Sequence, residues 1–174
     1  MNHEIENYRY ILNTSLGEKK YFDFEEDFVE ENIRCIPMIV RLKMDLVGIK
    51  LKLAEWSRFS IEERIELALK QCQSNKEQEI YHAYLSELVK MHTGNIATVL
   101  EINPRPEFMI LESIPVQLLQ SCKDFNFEIG IAQWKALSEL QRFALLKLCR
   151  PGHENRNFPK AMREFNLTHN QPNQ

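Results

Sequence analysis

Long hydrophobic runs are missing from this chain, and with them any segment approaching the roughly 18–20 apolar residues that a bilayer-spanning helix requires. Cysteine is sparse: Cys35, Cys72, Cys122 and Cys149 stand far apart, with no C-x-x-C pair of the kind that structural zinc sites and redox motifs use. Reduced thiols in a cytosol are the reading this spacing suggests. Only five glycines occur, none arranged as a phosphate-cradling loop, so a nucleotide-binding motif of that kind is excluded. Surplus positive charge is absent too: 22 Lys and Arg against 25 Asp and Glu leave a net charge of −3, which argues against coating nucleic acid. The opening residues Met1 to Glu6 are polar and acidic, without the basic-then-greasy order of an export leader. A soluble, cytoplasmic protein with no membrane and no nucleic-acid partner is the expectation.

What is present is enough for one core. A chain of 174 residues that is 44% hydrophobic can bury one sizeable interior and is short for two independent domains. Residues 1–20 lack a sustained period and are expected to form a flexible N-terminal arm, residues 168–174 a disordered tail, and residues 21–167 the folded domain. Tyr21 to Phe28 alternates aromatic and acidic side chains, as a short edge strand or an arm pinned by its aromatics would. Pro37 suits the first turn of a helix that carries Val40, Arg41, Met44 and Leu46 to a stop at Gly48. Ile49-Lys50-Leu51-Lys52-Leu53 alternates with period two and predicts a short extended piece leading to Trp56.

Capping signals mark the helices that follow. Ser60 with Glu63, and Ser74 with Glu77, are capping boxes, in which the serine hydroxyl accepts from a free helix N–H and the glutamate reaches back to the serine amide. The second opens a helix with Tyr81, Tyr84, Leu85, Leu88 and Met91 at spacings of three and four, ended by Gly94. Asn95 to Pro106 reads as an ordered loop between two halves.

Those halves look alike. A shift of 78 positions superposes the only two tryptophans, Trp56 and Trp134, without a gap. Ile36-Pro37 then meets Ile114-Pro115, Ser60 meets Ser138, Arg64 meets Arg142 and Leu67 meets Leu145. Gly48 meets Asn126, the next-best residue for a left-handed stop, and Glu63 meets Gln141, the other residue that completes a capping box. The predicted fold is therefore mainly α: a single domain of two pseudo-twofold related helix-turn-helix units, residues 36–70 and 114–148, each with a short extended segment suited to a small β pairing. Trp56, Trp134, Ser60, Ser138, Arg64 and Arg142 form the expected repeat core. Each indole N–H should find a carbonyl, and each first-turn arginine a carboxylate or carbonyl that offsets its opposition to the helix dipole. An internal tie between the halves is the plainer role for the arginines, substrate binding the alternative.

Cys149 to Pro159 has no counterpart in the first half and is the densest polar cluster in the chain. Pro151-Gly152 forces a turn, and Asn157 with Pro159 resembles the cap and first turn of a closing helix through Phe165. The turn would present Arg150, His153, Asn155 and Arg156 together, beside Glu154 and Asn157. Such a set can hold a phosphate or carboxylate, contact a partner, or simply fix the terminal helix by hydrogen bonding. Only His153 and Cys149 are natural ligands there, too few for a metal site. Nothing in the residues marks the chain as an enzyme.

Several blocks taken together resemble a known family: Phe22 to Val29, Arg34-Cys35-Ile36-Pro37-Met38, Gly48 to Leu53 with Trp56, Leu137 to Leu148, and Arg150-Pro151-x-His153-Glu154-Asn155-x-Asn157-Phe158. They look like the nitrate reductase-associated proteins of cyanobacteria and some other bacteria, over about Tyr21 to Leu167. Cys149 departs from the pattern, which has serine there, and this speaks against an essential thiol. The resemblance implies a non-catalytic accessory or maturation factor for assimilatory nitrate reductase, acting by protein–protein binding and aiding molybdenum cofactor insertion or enzyme stability. It implies no cofactor of the chain's own. It leaves open a small enzyme or binder that takes a transient molybdopterin-related phosphate through the 149–158 turn, with His153 as acid or base and Arg150 as anion clamp. A DNA-binding helical hairpin is a third class, disfavoured by the acidic balance.

Overall fold

The computed structural model describes residues 22–25 and 35–167. The expected N-terminal arm, most of the aromatic–acidic stretch and the expected tail lie outside those residues. The chain is mainly helical, as its capping boxes and periodicities predict, and divides into two compact units, Met1–Asn103 and Pro104–Gln174.

The first unit opens with a 3₁₀ turn at Asp23–Glu25, where an edge strand or pinned arm was the expectation. The pinning holds for Phe22 and Phe24, which are buried and stack with centroids 5.1 Å apart. Among the described residues of this stretch no strand forms, and Glu25 folds back: its carboxylate accepts from the Phe22 amide at 3.2 Å and from the Met38 amide at 2.8 Å. Met38 begins α1 (Met38–Val47), whose preceding residue Pro37 has no side chain able to cap. A buried carboxylate thus takes the cap's place at the positive end of the helix dipole. Gly48 ends α1 in the left-handed conformation, φ 66°, as foreseen.

Ile49–Lys50 (β1) then pairs antiparallel with Thr98–Val99 (β2), Ile49 opposite Val99 and Lys50 opposite Thr98. The pairing comes from within the stretch expected to be a loop. Leu53 is already helical, in α2 (Leu53–Trp56), so the extended piece is shorter than its alternation suggested. Ser60 and Ser74 cap α3 (Ile61–Leu69) and α4 (Asn75–Thr93) with both halves of each box in place. The inward face of α4 carries Tyr81, Leu85, Leu88 and Val89, whereas Met91 points to solvent and Tyr84 is half-buried with its hydroxyl on Glu66 at 2.8 Å. Trp56, fully buried, centres this core with Phe59, Leu67 and Tyr81.

In the second unit a 3₁₀ turn at Glu107–Met109 precedes α5 (Val116–Asp124), which starts after Pro115. Asn126 follows with φ 57°, the left-handed stop expected of it. Phe127 to Gly130 runs without strand pairing among the described residues, into α6 (Ile131–Ala136). Ser138 caps α7 (Glu139–Leu148) with Gln141 completing the box. A 3₁₀ turn at His153–Asn157 leads into α8 (Phe158–Glu164), with Pro159 in its first turn. Trp134, Phe143, Leu118, Phe158 and Met162 fill the interior.

Candidate functional site

Each unit holds one arginine–tryptophan stack formed by residues of the expected repeat core. The Arg64 guanidinium lies over the Trp56 ring at 5.4 Å, and that of Arg142 over Trp134 at 5.8 Å. Each arginine is buried in the first half of a serine-capped helix, where it opposes the dipole, and each is offset by carbonyl oxygens. Arg64 donates to Ser57 at 3.1 Å; Arg142 donates to Phe108 through Nε at 2.7 Å and to Leu137 through a guanidinium nitrogen. Ser57 lies in the unit of Arg64, and Phe108 and Leu137 in that of Arg142, so these bonds are ties within a unit where a tie between halves was expected. The Trp134 indole donates to the Ile110 carbonyl at 2.8 Å, as a buried tryptophan should. Both rings are fully buried.

The polar turn after α7 divides into an inward and an outward part. Gly152 adopts φ 149°, a region that L side chains avoid, with open space around it. The chain then reverses so that the Asn155 amide donates to the Leu148 carbonyl at 2.8 Å, capping the last turn of α7. Asn157 is buried and makes no side-chain cap on α8, contrary to the capping role expected of it; its backbone is already helical, φ −88° and ψ −8°. Phe158 plugs the core behind it, against Phe125 at 5.5 Å and Phe127 at 6.4 Å. The cluster expected to face solvent as a set is therefore split. Arg150 and Arg156 are exposed, Asn155 is turned inward, and the side chains of His153 and Glu154 lie outside what the structure describes.

Cys149 sits on the inward side. Burial pushes its thiol up to about 11, although a hydrogen bond with Ser121 acts in the opposite direction. Burial also raises Cys122 to about 11, with the nearby Cys149 adding to it. A thiol held that far above physiological pH is a poor nucleophile and a poor metal ligand. Among the described residues, no three His, Cys, Asp or Glu side chains come together as a metal site, and no helix is long and apolar enough to cross a membrane.

Sequence reasoning missed Lys43. Its ammonium is buried and donates to the carbonyl oxygens of Leu67 at 3.3 Å, Ala68 at 2.6 Å and Lys70 at 2.6 Å, closing the end of α3. The only hint was a lysine inside an otherwise apolar face of α1. His92 was missed as well: its Nε2 stands 2.9 Å from the Glu63 carboxylate, and its ring packs on Phe59 at 5.4 Å.

Searches of curated proteins and of solved structures each find no match to the chain. One family does match, that described as conserved nitrate reductase-associated protein, over residues 21–165. That span takes in the Glu25 cap, both arginine–tryptophan stacks and the turn from Arg150 to Asn157, nearly the whole of the described structure. The chain belongs to the nitrate reductase-associated protein family.

Proposed function

We propose that the chain is a non-catalytic accessory factor that binds nitrate reductase and aids its maturation, by supporting molybdenum cofactor insertion or by stabilising the enzyme. The observation that carries this is the family match over residues 21–165, whose description names nitrate reductase. The polar turn is the contact we assign to the partner: Arg150 and Arg156 are its exposed cations, with His153 and Glu154 between them. Asn155 and Asn157 act behind it, holding the turn in shape. Two guanidinium groups on a glycine-bent turn suit carboxylates or a phosphate on a partner surface.

The alternative is catalysis on a molybdopterin-related phosphate through the same turn, with His153 as acid or base and Arg150 as anion clamp. We also propose that the two units are copies of one module. In support stand the paired arginine–tryptophan stacks, the paired serine caps and the left-handed stops at Gly48 and Asn126.

Complementation tests the accessory role. In cells lacking the chain, nitrate reductase activity is expected to fall, and the wild-type chain to restore it. Arg150→Ala/Arg156→Ala should restore it poorly while accumulating to normal levels. Full activity in the deleted cells would sink the proposal.

A further inference from the structure

The two-stranded sheet has one face in the core and one toward solvent, and the solvent face is unusual. Ile49, Leu51 and Ala97 point inward and are buried. On the opposite face β1 behaves as expected of a half-buried strand, presenting the exposed Lys50 and, just beyond it, Lys52. The segment around β2 does not. Its backbone alternation puts Ile96, Thr98, Leu100 and Ile102 on the solvent face, and the Leu100 amide continues the ladder to the Gly48 carbonyl at 2.7 Å. Ile96 is 90% exposed, Leu100 49% and Ile102 50%. The result is an apolar ridge lying one strand spacing from Lys50, with Lys52 just beyond, and neither lysine makes an ion pair among the described residues.

We propose that this ridge docks an acidic, apolar segment of nitrate reductase, with apolar side chains seated along Ile96, Leu100 and Ile102 and carboxylates meeting Lys50 and Lys52. The proposal rests on the association with nitrate reductase set out above. Charge and size select the occupant. A second copy of the chain would bring lysines toward lysines, and a stable dimer takes roughly 20–30 residues a side, far more than this ridge supplies. A single short segment laid along the sheet needs no more than the ridge offers, as in other peptide-recognition modes that use a sheet edge or groove. The lysines would set partner choice and encounter rate, the apolar ridge the lifetime of the complex.

The experiment is a binding titration of the purified full chain with purified nitrate reductase, at low and at high salt. Variants are Ile96→Asp and the charge reversal Lys50→Glu/Lys52→Glu, each checked for an unchanged circular dichroism spectrum. Val116→Asp, at a residue 80% exposed in the other unit, serves as control. The expected result is wild-type binding that weakens with salt, a loss of at least tenfold in both ridge variants, and no loss in the control. Binding by both ridge variants within twofold of wild type would overturn the docking surface while leaving the association standing. Absence of wild-type binding would overturn the association, and the ridge with it. A chain that is dimeric on its own and made monomeric by Ile96→Asp would assign the ridge to a second copy and overturn the proposal.

Discussion

The ammonium of Lys43 donates to the carbonyl oxygen of Lys70 at the end of α3 at 2.6 Å, and the amide of Asn155 donates to the carbonyl oxygen of Leu148 at the end of α7 at 2.8 Å. Each of these serine-capped helices has its C-terminal end closed by a side-chain donor, from opposite directions along the chain. In the first unit the donor comes from α1, two helices earlier; in the second it comes from the turn that follows α7. The residue 78 positions after Lys43 is Ser121, whose side chain hydrogen-bonds with Cys149 at the end of α7. The polar turn therefore has a structural duty that is separable from whatever it contacts.

Lys43→Met should destabilise the chain by about 3 kcal/mol, since it strands carbonyl groups that a buried charge now satisfies. Asn155→Ala should cost about 1 kcal/mol, the worth of one neutral capping bond. Arg150→Ala should change stability by less than about 0.5 kcal/mol, because the side chain is exposed. Urea unfolding of the three variants checks the order.

Gly48 tolerates no side chain. Its φ of 66° is left-handed, and a Cβ there would stand 2.6 Å from the Leu100 carbonyl oxygen and 2.8 Å from Ile102. Gly48→Ala should destabilise by more than about 2 kcal/mol, the left-handed penalty plus displacement of the β2 segment. Asn126→Ala at the matching stop should lose only the backbone penalty, about 1 kcal/mol. Thermal melts of the pair separate the clash from the conformational cost.

Acid should loosen the link between α3 and α4. Burial pushes the Glu63 carboxyl up, but hydrogen bonds from His92 and the Ser60 amide outweigh it and hold the group below its ordinary 4.5. A carboxyl depressed on folding stabilises fully above its unfolded value and loses that contribution as pH falls through the folded one. Glu63→Gln should therefore be less stable than wild type at pH 6, with the difference shrinking between about pH 5 and pH 3. Unfolding free energies measured along that range give the answer, and a constant difference would contradict the assignment.

Local signals carried most of what the sequence made legible. Ser60, Ser74 and Ser138 are caps because the chemistry of a capping box is contained in four consecutive residues, and Gly48 and Asn126 are stops for an equally local reason. The two tryptophans are buried, as large apolar rings with one polar N–H commonly are in a core, where ligand stacking was the lesser alternative. Signals that depend on distant partners were hidden. Phe22 to Glu25 alternates like a strand, yet Glu25 is drawn 13 positions away to the Met38 amide, which no window of local pattern contains. Thr98–Val99 is too short a strand to show a period, and only Gly48, by admitting Leu100 so closely, makes room for it. Asn155 reads as one more surface polar residue until the turn at Gly152 aims it at Leu148. The divided polar turn follows from the same blindness: sequence groups residues by proximity, whereas folding sorted these by the side they face.

Sedimentation velocity of the purified chain mixed with purified nitrate reductase tests the accessory role most directly. At about 50 μM of each, any complex with a low-micromolar Kd is well populated. A faster boundary containing both proteins, lost when Arg150→Glu/Arg156→Glu replaces the wild-type chain, is the predicted result. Two boundaries that each sediment as they do alone, with apo and with cofactor-loaded reductase alike, would contradict it.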